Sequence, residues 1–113
     1  MIKGIGVDLV MIVRVKEKGF KLAPQMLSER ELSEWHVMGS SKYHWLAKAW
    51  AVKEATVKAL GTGFGEEYKP KDIEYISPHV HIKGKKMDNV HLSVSDEGEY
   101  AIAYVVIEHP NIL

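Results

Sequence analysis

Residues 42–60 read KYHWLAKAWAVKEATVKAL and carry the longest helical pattern in the sequence. At 3.6 residues per turn, one apolar stripe runs along this pattern, formed by Leu46, Trp50, Val57 and Leu60. A glycine directly after the last periodic residue is a common stop signal. We therefore expect a long helix that begins after Ser40 or Ser41 and ends before Gly61.

Charged side chains interrupt the apolar stripe of this helix. Lys53 falls in the middle of the stripe, Glu54 lies at its margin, and Lys58 follows one turn later. Two interpretations remain open. Lysine stems often extend over apolar surface, and Glu–Lys pairs spaced i,i+4 are common on exposed helices, which is the commoner case for a helix taken alone. A carboxylate held beside buried cations indicates instead a metal and phosphate site.

The N-terminal residues 2–10 alternate like a β-strand. Alternate positions place Ile5, Val7 and Leu9 on one face and Gly4, Gly6, Asp8 and Val10 on the other. A carboxylate within an apolar strand is costly unless it is paired or binds a metal. We expect the two glycines to leave open space beside Asp8, although an edge strand with this aspartate facing water fits the pattern equally well.

Shorter patterns complete the chain. A short helix is expected within 11–20, and a capping box of Ser28 and Glu31 predicts a helix near 29–38. A glycine-rich turn follows the long helix, and strands are expected at 72–76, 79–83, 90–95 and 100–107, the last two joined by a hairpin at 96–99. These elements predict one α+β domain, residues 1–113, with a mostly antiparallel sheet, one long helix and one or two shorter helices.

Composition excludes several classes of protein. The 113 residues carry 15 basic and 15 acidic side chains, which argues against a general nucleic-acid binder. There is no cysteine, so disulfides and thiolate metal sites are excluded, and the spacing of His79, His81 and His91 is too loose to predict zinc. No apolar run approaches a membrane span, and the N-terminus lacks the features of a signal peptide, so a cytoplasmic protein is expected.

Four segments in order resemble the holo-acyl-carrier-protein synthases, a family of 4′-phosphopantetheinyl transferases. The matching segments are GIGVDLV at 4–10 with Ile12 and Arg14, WAVKEA at 50–55 with KALGTG at 58–63, DIE at 72–74, and HLSVS at 91–95. The resemblance implies the fold of that family and transfer of 4′-phosphopantetheine from coenzyme A to a serine of acyl carrier protein, a step that serves fatty acid biosynthesis. Adenosine 3′,5′-bisphosphate would be the second product.

The resemblance also implies roles for individual residues. Asp8 and Glu54 would hold Mg²⁺, Lys58 would contact the diphosphate, and Glu54, directly or through a water, would accept the serine proton. The coenzyme pocket would be lined by Lys48, Lys53, Gly61, Thr62 and Gly63, although Lys53 could equally be structural or orient Glu54. The acidic carrier protein would dock on Arg14, Lys18 and Lys21. A homotrimer with sites shared between subunits is implied as well.

Three positions depart from the family pattern: Gln25 and Ala49 stand where arginine is usual, and Asp96 where histidine is usual. Because the last two positions would lie near the 3′-phosphate of the coenzyme, an aspartate there predicts weaker coenzyme binding with retained chemistry. Two other functions fit the residues. One is a catalytically weakened relative that serves as a trimeric binding module for coenzyme A or carrier protein, and the other is an unrelated small metal-dependent hydrolase.

Overall fold

A computed structural model describes residues 1–110, so residues 111–113 of the predicted domain lie outside the described part. The helices are α1 (Ile12–Met26), α2 (Glu29–His36) and α3 (Lys42–Leu60). The strands are β1 (Ile2–Met11), β2 (Ile73–Ile76), β3 (His79–Ile82), β4 (Lys85–Lys86), β5 (Val90–Glu97) and β6 (Tyr100–Glu108). The predicted α+β class with antiparallel strands is confirmed.

The strands form two antiparallel sheets of three strands each, ordered β1-β6-β5 and β2-β3-β4. In the first sheet β6 is central, and Asp8 of β1 lies opposite Ala103 of β6. Helix α3 lies across one face of this sheet and also contacts α1 and β2. The helix therefore occupies the centre of the molecule, between the larger sheet and the remaining elements.

The burial of α3 differs from the single apolar stripe that the sequence predicted. Ala47, Ala51, Val52 and Thr56 lie outside that stripe, yet each is buried. The small size of these side chains allows strands and helices to approach α3 from several directions at once. The prediction of one buried face was wrong because the helix is enclosed on most sides, whereas its two ends were predicted correctly.

The expected open space beside Asp8 is absent, because α3 fills it. A Cβ atom at Gly4 would lie 1.9 Å from the carbonyl oxygen of Ala59, and one at Gly6 would lie 2.0 Å from that of Ala55. Only glycine permits this approach of strand and helix backbones. The contact brings β1 against the C-terminal half of α3 and so places Asp8 beside the turn that carries Glu54.

Three further elements differ from the sequence prediction. Helix α1 continues to Met26, beyond the expected end at residue 20. The pair Lys85–Lys86 forms a short strand that no pattern indicated, since two residues carry no periodicity. Strand β5 extends to Glu97, so the hairpin turn contains only Gly98 and Glu99, with Gly98 at a φ of 58°. Within residues 1–110, none of the helices is long and apolar enough to cross a membrane.

Candidate active site

Asp8 on β1 forms an ion pair with Lys58 on α3. The Nζ of Lys58 donates to Oδ1 of Asp8 at 3.1 Å and to the carbonyl oxygen of Val7 at 3.0 Å. The Asp8 side chain is 17% exposed and that of Lys58 is 51% exposed. Asp8 therefore faces α3 in a fixed position, while the lysine reaches it from the rim.

Glu54 lies on α3 in the same region and is partly buried. Burial raises the pKa of its carboxyl above the ordinary value of 4.5, the negative charge of Asp8 raises this pKa further, and Lys58 acts in the opposite direction. The effect of Asp8 on this pKa follows from the proximity of the two carboxylates. Two acids on distant parts of the chain are thus brought close enough to repel each other.

Both acids line one cleft of about 460 Å³ between β1, α1 and α3. Its charged lining consists of Asp8, Arg14, Lys18, Glu54 and Lys58, and its apolar lining includes Leu22 and Trp50. Positive side chains thus surround a carboxylate pair. This arrangement suits a metal cation bound together with a polyanionic ligand. The cation neutralises the carboxylates and part of the ligand's charge, and the basic side chains neutralise the rest.

The residues of this cleft fit a magnesium ion better than a metal held by protein alone. In the part of the chain that the structure describes, no three His, Asp or Glu side chains cluster as a set of metal ligands. Magnesium is commonly bound through one or two carboxylates, with water and substrate phosphates completing its shell. Asp8 and Glu54 supply that number of carboxylates.

Lys53 does not line this cleft, and its predicted contact with the coenzyme stays a prediction. Its side chain is fully buried, and Nζ lies 2.7 Å from Oε1 of Glu31. The same nitrogen donates to the carbonyl oxygens of Pro70, at 3.0 Å, and of Ile73. Burial lowers the pKa of Lys53, and Glu31 opposes this change. Lys53 therefore joins α3 to α2 and β2.

Glu31 is the second half of this buried network, and the sequence identified it only as a capping residue. The predicted capping box is present, with Ser28 N donating to Oε1 of Glu31 at 3.0 Å and Glu31 N donating to Oγ of Ser28 at 3.2 Å. Oε2 of Glu31 also accepts from the backbone N–H of Tyr75 at 2.9 Å. One glutamate thus caps α2, anchors β2 and pairs with Lys53.

Lys48 lies nearer the N-terminal end of α3 than Glu54 and Lys58 do, and it does not line the cleft that contains Asp8. Its Nζ is 3.5 Å from Oδ1 of Asp96 on β5, and both residues line a second cleft of about 570 Å³ with His44 and Trp45. Strands β1 and β5 are opposite edges of the larger sheet, so the two clefts lie at opposite edges of that sheet. Within one chain, Lys48 is not brought together with the carboxylate pair.

The predicted coenzyme loop, Gly61 to Gly63, begins where α3 ends. Gly61 caps the helix with a φ of 81°, and both Thr62 and Gly63 are exposed. The next residue, Phe64, stacks on Trp50 with ring centroids 5.8 Å apart, and Trp50 lines the carboxylate cleft. Sequence reasoning missed Phe64, although an aromatic residue within a glycine-rich turn was a usable signal.

The basic residues of α1 divide between two surfaces. Arg14 and Lys18 line the carboxylate cleft, whereas Lys21 lines an adjoining groove along α1. Phe20 in that groove is 68% exposed, and the sequence did not single it out. The helix thus presents basic and aromatic groups next to the carboxylate cleft, as a surface for an acidic partner requires.

Comparison with known proteins adds to this geometry. The sequence matches the family model of the 4′-phosphopantetheinyl transferase superfamily over residues 4–105. It is 36% identical to the holo-[acyl-carrier-protein] synthase of Ehrlichia canis (strain Jake), over 99% of this chain and 98% of that one. The structure is similar to the Neisseria meningitidis holo-[acyl-carrier-protein] synthase, with a TM-score of 0.82, 32% identity, and coverage of 96% of this chain and 100% of that one.

A further similar structure is that of a holo-(acyl-carrier-protein) synthase from Bacillus anthracis in complex with CoA (3′,5′-ADP). The TM-score is 0.78 and the identity 35%, with 95% of this chain and 96% of that chain covered. These similarities extend over nearly the whole chain, and the family match includes the segments that carry residues 8, 54 and 58.

Proposed function

The chain belongs to the 4′-phosphopantetheinyl transferase superfamily, and we propose that it transfers 4′-phosphopantetheine from coenzyme A to a serine of apo-acyl carrier protein in a Mg²⁺-dependent reaction. The relatives with this name support the transfer itself. The observation that carries the site assignment is the cleft that contains Asp8, Glu54 and Lys58 together.

The residues of the cleft have distinct roles in this reaction. Asp8 and Glu54 would hold Mg²⁺, which neutralises charge on the coenzyme diphosphate when it is bound. Lys58 donates to the diphosphate and offsets the negative charge that develops there. The serine hydroxyl attacks the phosphorus that bears pantetheine, and the bond from that phosphorus to the bridging oxygen of adenosine 3′,5′-bisphosphate breaks. The serine proton passes to the Glu54 carboxylate, directly or through a water that it orients.

A mass-shift assay tests the reaction directly. The protein is incubated with apo-carrier protein, coenzyme A and MgCl₂, and the carrier is weighed by mass spectrometry with and without EDTA. We expect the carrier to gain the mass of one phosphopantetheine group only without EDTA, when Mg²⁺ is available to the enzyme. No gain would favour a binding module that has lost catalysis. Release of phosphate or bisphosphate without carrier protein would favour a metal-dependent hydrolase.

A homotrimer is part of the proposal, and the outer face of the larger sheet supports it. This face carries a continuous set of exposed apolar side chains on β1 and β6: Ile5, Val7, Leu9, Ile102 and Tyr104, each 41–60% exposed. A chain of this size rarely leaves such a face in water, and neighbouring copies of the chain would cover it.

The separation of the two clefts gives a second argument for sharing between subunits. Lys48 and Lys58 lie about 15 Å apart along α3 at a rise of about 1.5 Å per residue. In coenzyme A only a ribose separates the 3′-phosphate from the diphosphate. The distance between the two lysines is therefore compatible with a coenzyme that contacts Lys58 of one chain and Lys48 of a neighbouring chain.

Ile102→Lys is expected to convert the trimer into monomers. The side chain is 41% exposed on the outer face of the central strand, so the charge leaves the fold intact but destabilises an apolar interface. Light scattering coupled to size-exclusion chromatography measures the mass. Val37→Lys is the matched control, because Val37 is 86% exposed and lies on another surface. Equal masses for wild type and Ile102→Lys would contradict this interface.

Asp96→His is expected to bind coenzyme A about fivefold more tightly than the wild type, equivalent to about 1 kcal/mol. The substitution removes a negative charge from the expected region of the 3′-phosphate and releases Lys48 from its ion pair. Isothermal titration calorimetry gives the Kd. Glu97→His makes the same charge change one residue later on β5, beyond the Lys48 pair, and should leave the Kd unchanged. Equal affinities for Asp96→His and wild type would show that Asp96 does not oppose the coenzyme.

Lys21→Glu is expected to raise the KM for carrier protein about fivefold while kcat changes little, because it places a negative charge on the proposed docking helix outside the carboxylate cleft. Initial rates at several carrier concentrations and two salt concentrations measure this effect. Lys85→Glu, on the short strand β4, provides the same charge reversal away from α1 and should behave like wild type. A fall in kcat at unchanged KM would assign Lys21 to the chemistry instead.

A further inference from the structure

We propose that Lys58 is a placeholder cation, which neutralises Asp8 in the free enzyme and transfers to the coenzyme diphosphate when the divalent ion binds. The inference rests on the proposed function and concerns the order in which that site is filled. Its observation is the double contact of Nζ with Asp8 and with the carbonyl oxygen of Val7. In this position the ammonium group blocks part of the carboxylate that a metal would use.

The two partners of this ion pair differ in freedom. Asp8 is on a strand held against α3 and is 17% exposed, whereas the Lys58 side chain is 51% exposed on a flexible stem. Exposed ion pairs of this kind contribute little to stability. The pair is therefore strong enough to occupy Asp8 and weak enough to open, and the lysine is the partner that moves.

Glu54 differs from Asp8 in its ion pairing. Among residues 1–110, Glu54 makes no ion pair within 4.0 Å, and the ammonium group of Lys58 is paired with Asp8. A divalent ion entering the free enzyme meets one available carboxylate and one that is occupied. Full coordination requires Nζ to leave, because a monovalent and a divalent cation about 3–4 Å apart repel each other.

The coenzyme changes this competition. Its diphosphate offers new anionic oxygens to the displaced ammonium group, so the cost of opening the Asp8–Lys58 pair is recovered only when the coenzyme is present. Metal and coenzyme therefore favour each other's binding, and thermodynamic reciprocity requires both effects to have the same magnitude. A site built this way takes up its metal together with its substrate and binds little metal without it.

The experiment measures metal binding and does not depend on turnover. MnCl₂ serves as the probe, and the electron paramagnetic resonance signal of free Mn²⁺ gives its Kd, with and without coenzyme A and with the binding of Mn²⁺ to coenzyme A alone subtracted. In the wild type we expect tighter Mn²⁺ binding with coenzyme. In Lys58→Gln we expect about fivefold tighter binding without coenzyme than in wild type, and a much smaller gain on adding it.

Lys18→Gln is the matched control, because Lys18 lines the same cleft and makes no ion pair with either acid in the described residues. If Lys18→Gln tightens Mn²⁺ binding as much as Lys58→Gln, the effect is general electrostatics and the placeholder role is overturned. The role is also overturned if Lys58→Gln leaves the Kd without coenzyme unchanged while the wild type binds Mn²⁺. No Mn²⁺ binding by the wild type in either condition would instead remove the metal site itself and the inference with it.

Discussion

Glu54→Gln is expected to lower kcat for phosphopantetheine transfer about 10³-fold while the folded structure is kept. The substitution removes a carboxylate from the proposed metal site and also the base that accepts the serine proton, and loss of a general base alone costs about 10²–10⁴-fold. Glutamine has nearly the same shape, so the partly buried position is filled. The mass-shift assay with a time course measures the rate, and Glu97→Gln, on an exposed position of β5, is the control for the same chemical change.

The same substitution is expected to stabilise the metal-free protein at neutral pH. Burial, and then the charge of Asp8, raise the pKa of Glu54 above the ordinary value of 4.5. Between that value and the raised pKa, the folded state binds more protons than the unfolded state, so the free energy of unfolding falls as the pH increases through this window. Above the raised pKa the free energy of unfolding no longer changes through this group, and the full decrease remains. Glutamine does not ionise, so the Glu54→Gln variant does not undergo this decrease in stability.

Thermal unfolding in EDTA at a series of pH values tests the direction of this pH dependence of stability. The difference in Tm between Glu54→Gln and wild type should increase as the pH rises from below 4.5, and should then level off above the raised pKa. A difference that is constant over the whole range would show that packing, and not ionisation, causes it. If glutamine lowered Tm at neutral pH, the carboxylate would be a stabilising group and the account of charge repulsion with Asp8 would be wrong.

The parts of the fold that the sequence predicted correctly depend on local signals. The capping box of Ser28 and Glu31 identifies the start of α2, and Gly61 identifies the end of α3, because each signal involves residues within one helical turn. The proximity of Asp8 and Glu54 is different in kind. No local pattern links two residues so far apart in sequence, and it was the resemblance to a known family that implied their meeting.

The parts that failed depend on how distant segments meet. Lys53 and Lys58 lie on the same helix, and both appear in the sequence as cations within or beside an apolar stripe. One is fully buried against Glu31, and the other is half-exposed beside Asp8. Their positions relative to the stripe differ, but the helix alone does not reveal which segment covers each side of it and supplies the partner. The glycines of β1 are similar, since the backbone they accommodate belongs to α3.

Lys53→Met tests the structural assignment of this lysine and is expected to lower the free energy of unfolding by about 3–5 kcal/mol, the usual cost of removing one partner from a buried ion pair. Glu31 would keep its charge without a cation, and the carbonyl oxygens of Pro70 and Ile73 would lose their donor. Urea denaturation measures the change. Lys48→Met breaks a partly exposed pair with Asp96, and we expect it to cost about 1 kcal/mol or less.

A second substitution separates burial of charge from loss of packing. In Lys53→Met with Glu31→Gln, neither position carries a charge, and the neutral amide can still accept from the N–H of Tyr75. We expect this double variant to recover part of the stability that Lys53→Met loses. If the double variant instead loses as much stability as the two single variants, Lys53→Met and Glu31→Gln, added together, the charge left on Glu31 is not the main cause of destabilisation.

The coenzyme affinity of Lys53→Met distinguishes a structural role from a binding role. Because Lys53 is covered by α2 and β2, the folded fraction of this variant should bind coenzyme A with the wild-type Kd, measured by calorimetry well below the unfolding temperature. A weakened Kd in protein that is still folded would mean that the lysine reaches the ligand or controls Glu54 beside it. An unchanged Kd with a large loss of stability would mean that one turn of α3 serves two purposes, since Lys53 holds the helix in place and its neighbour Glu54 projects into the cleft.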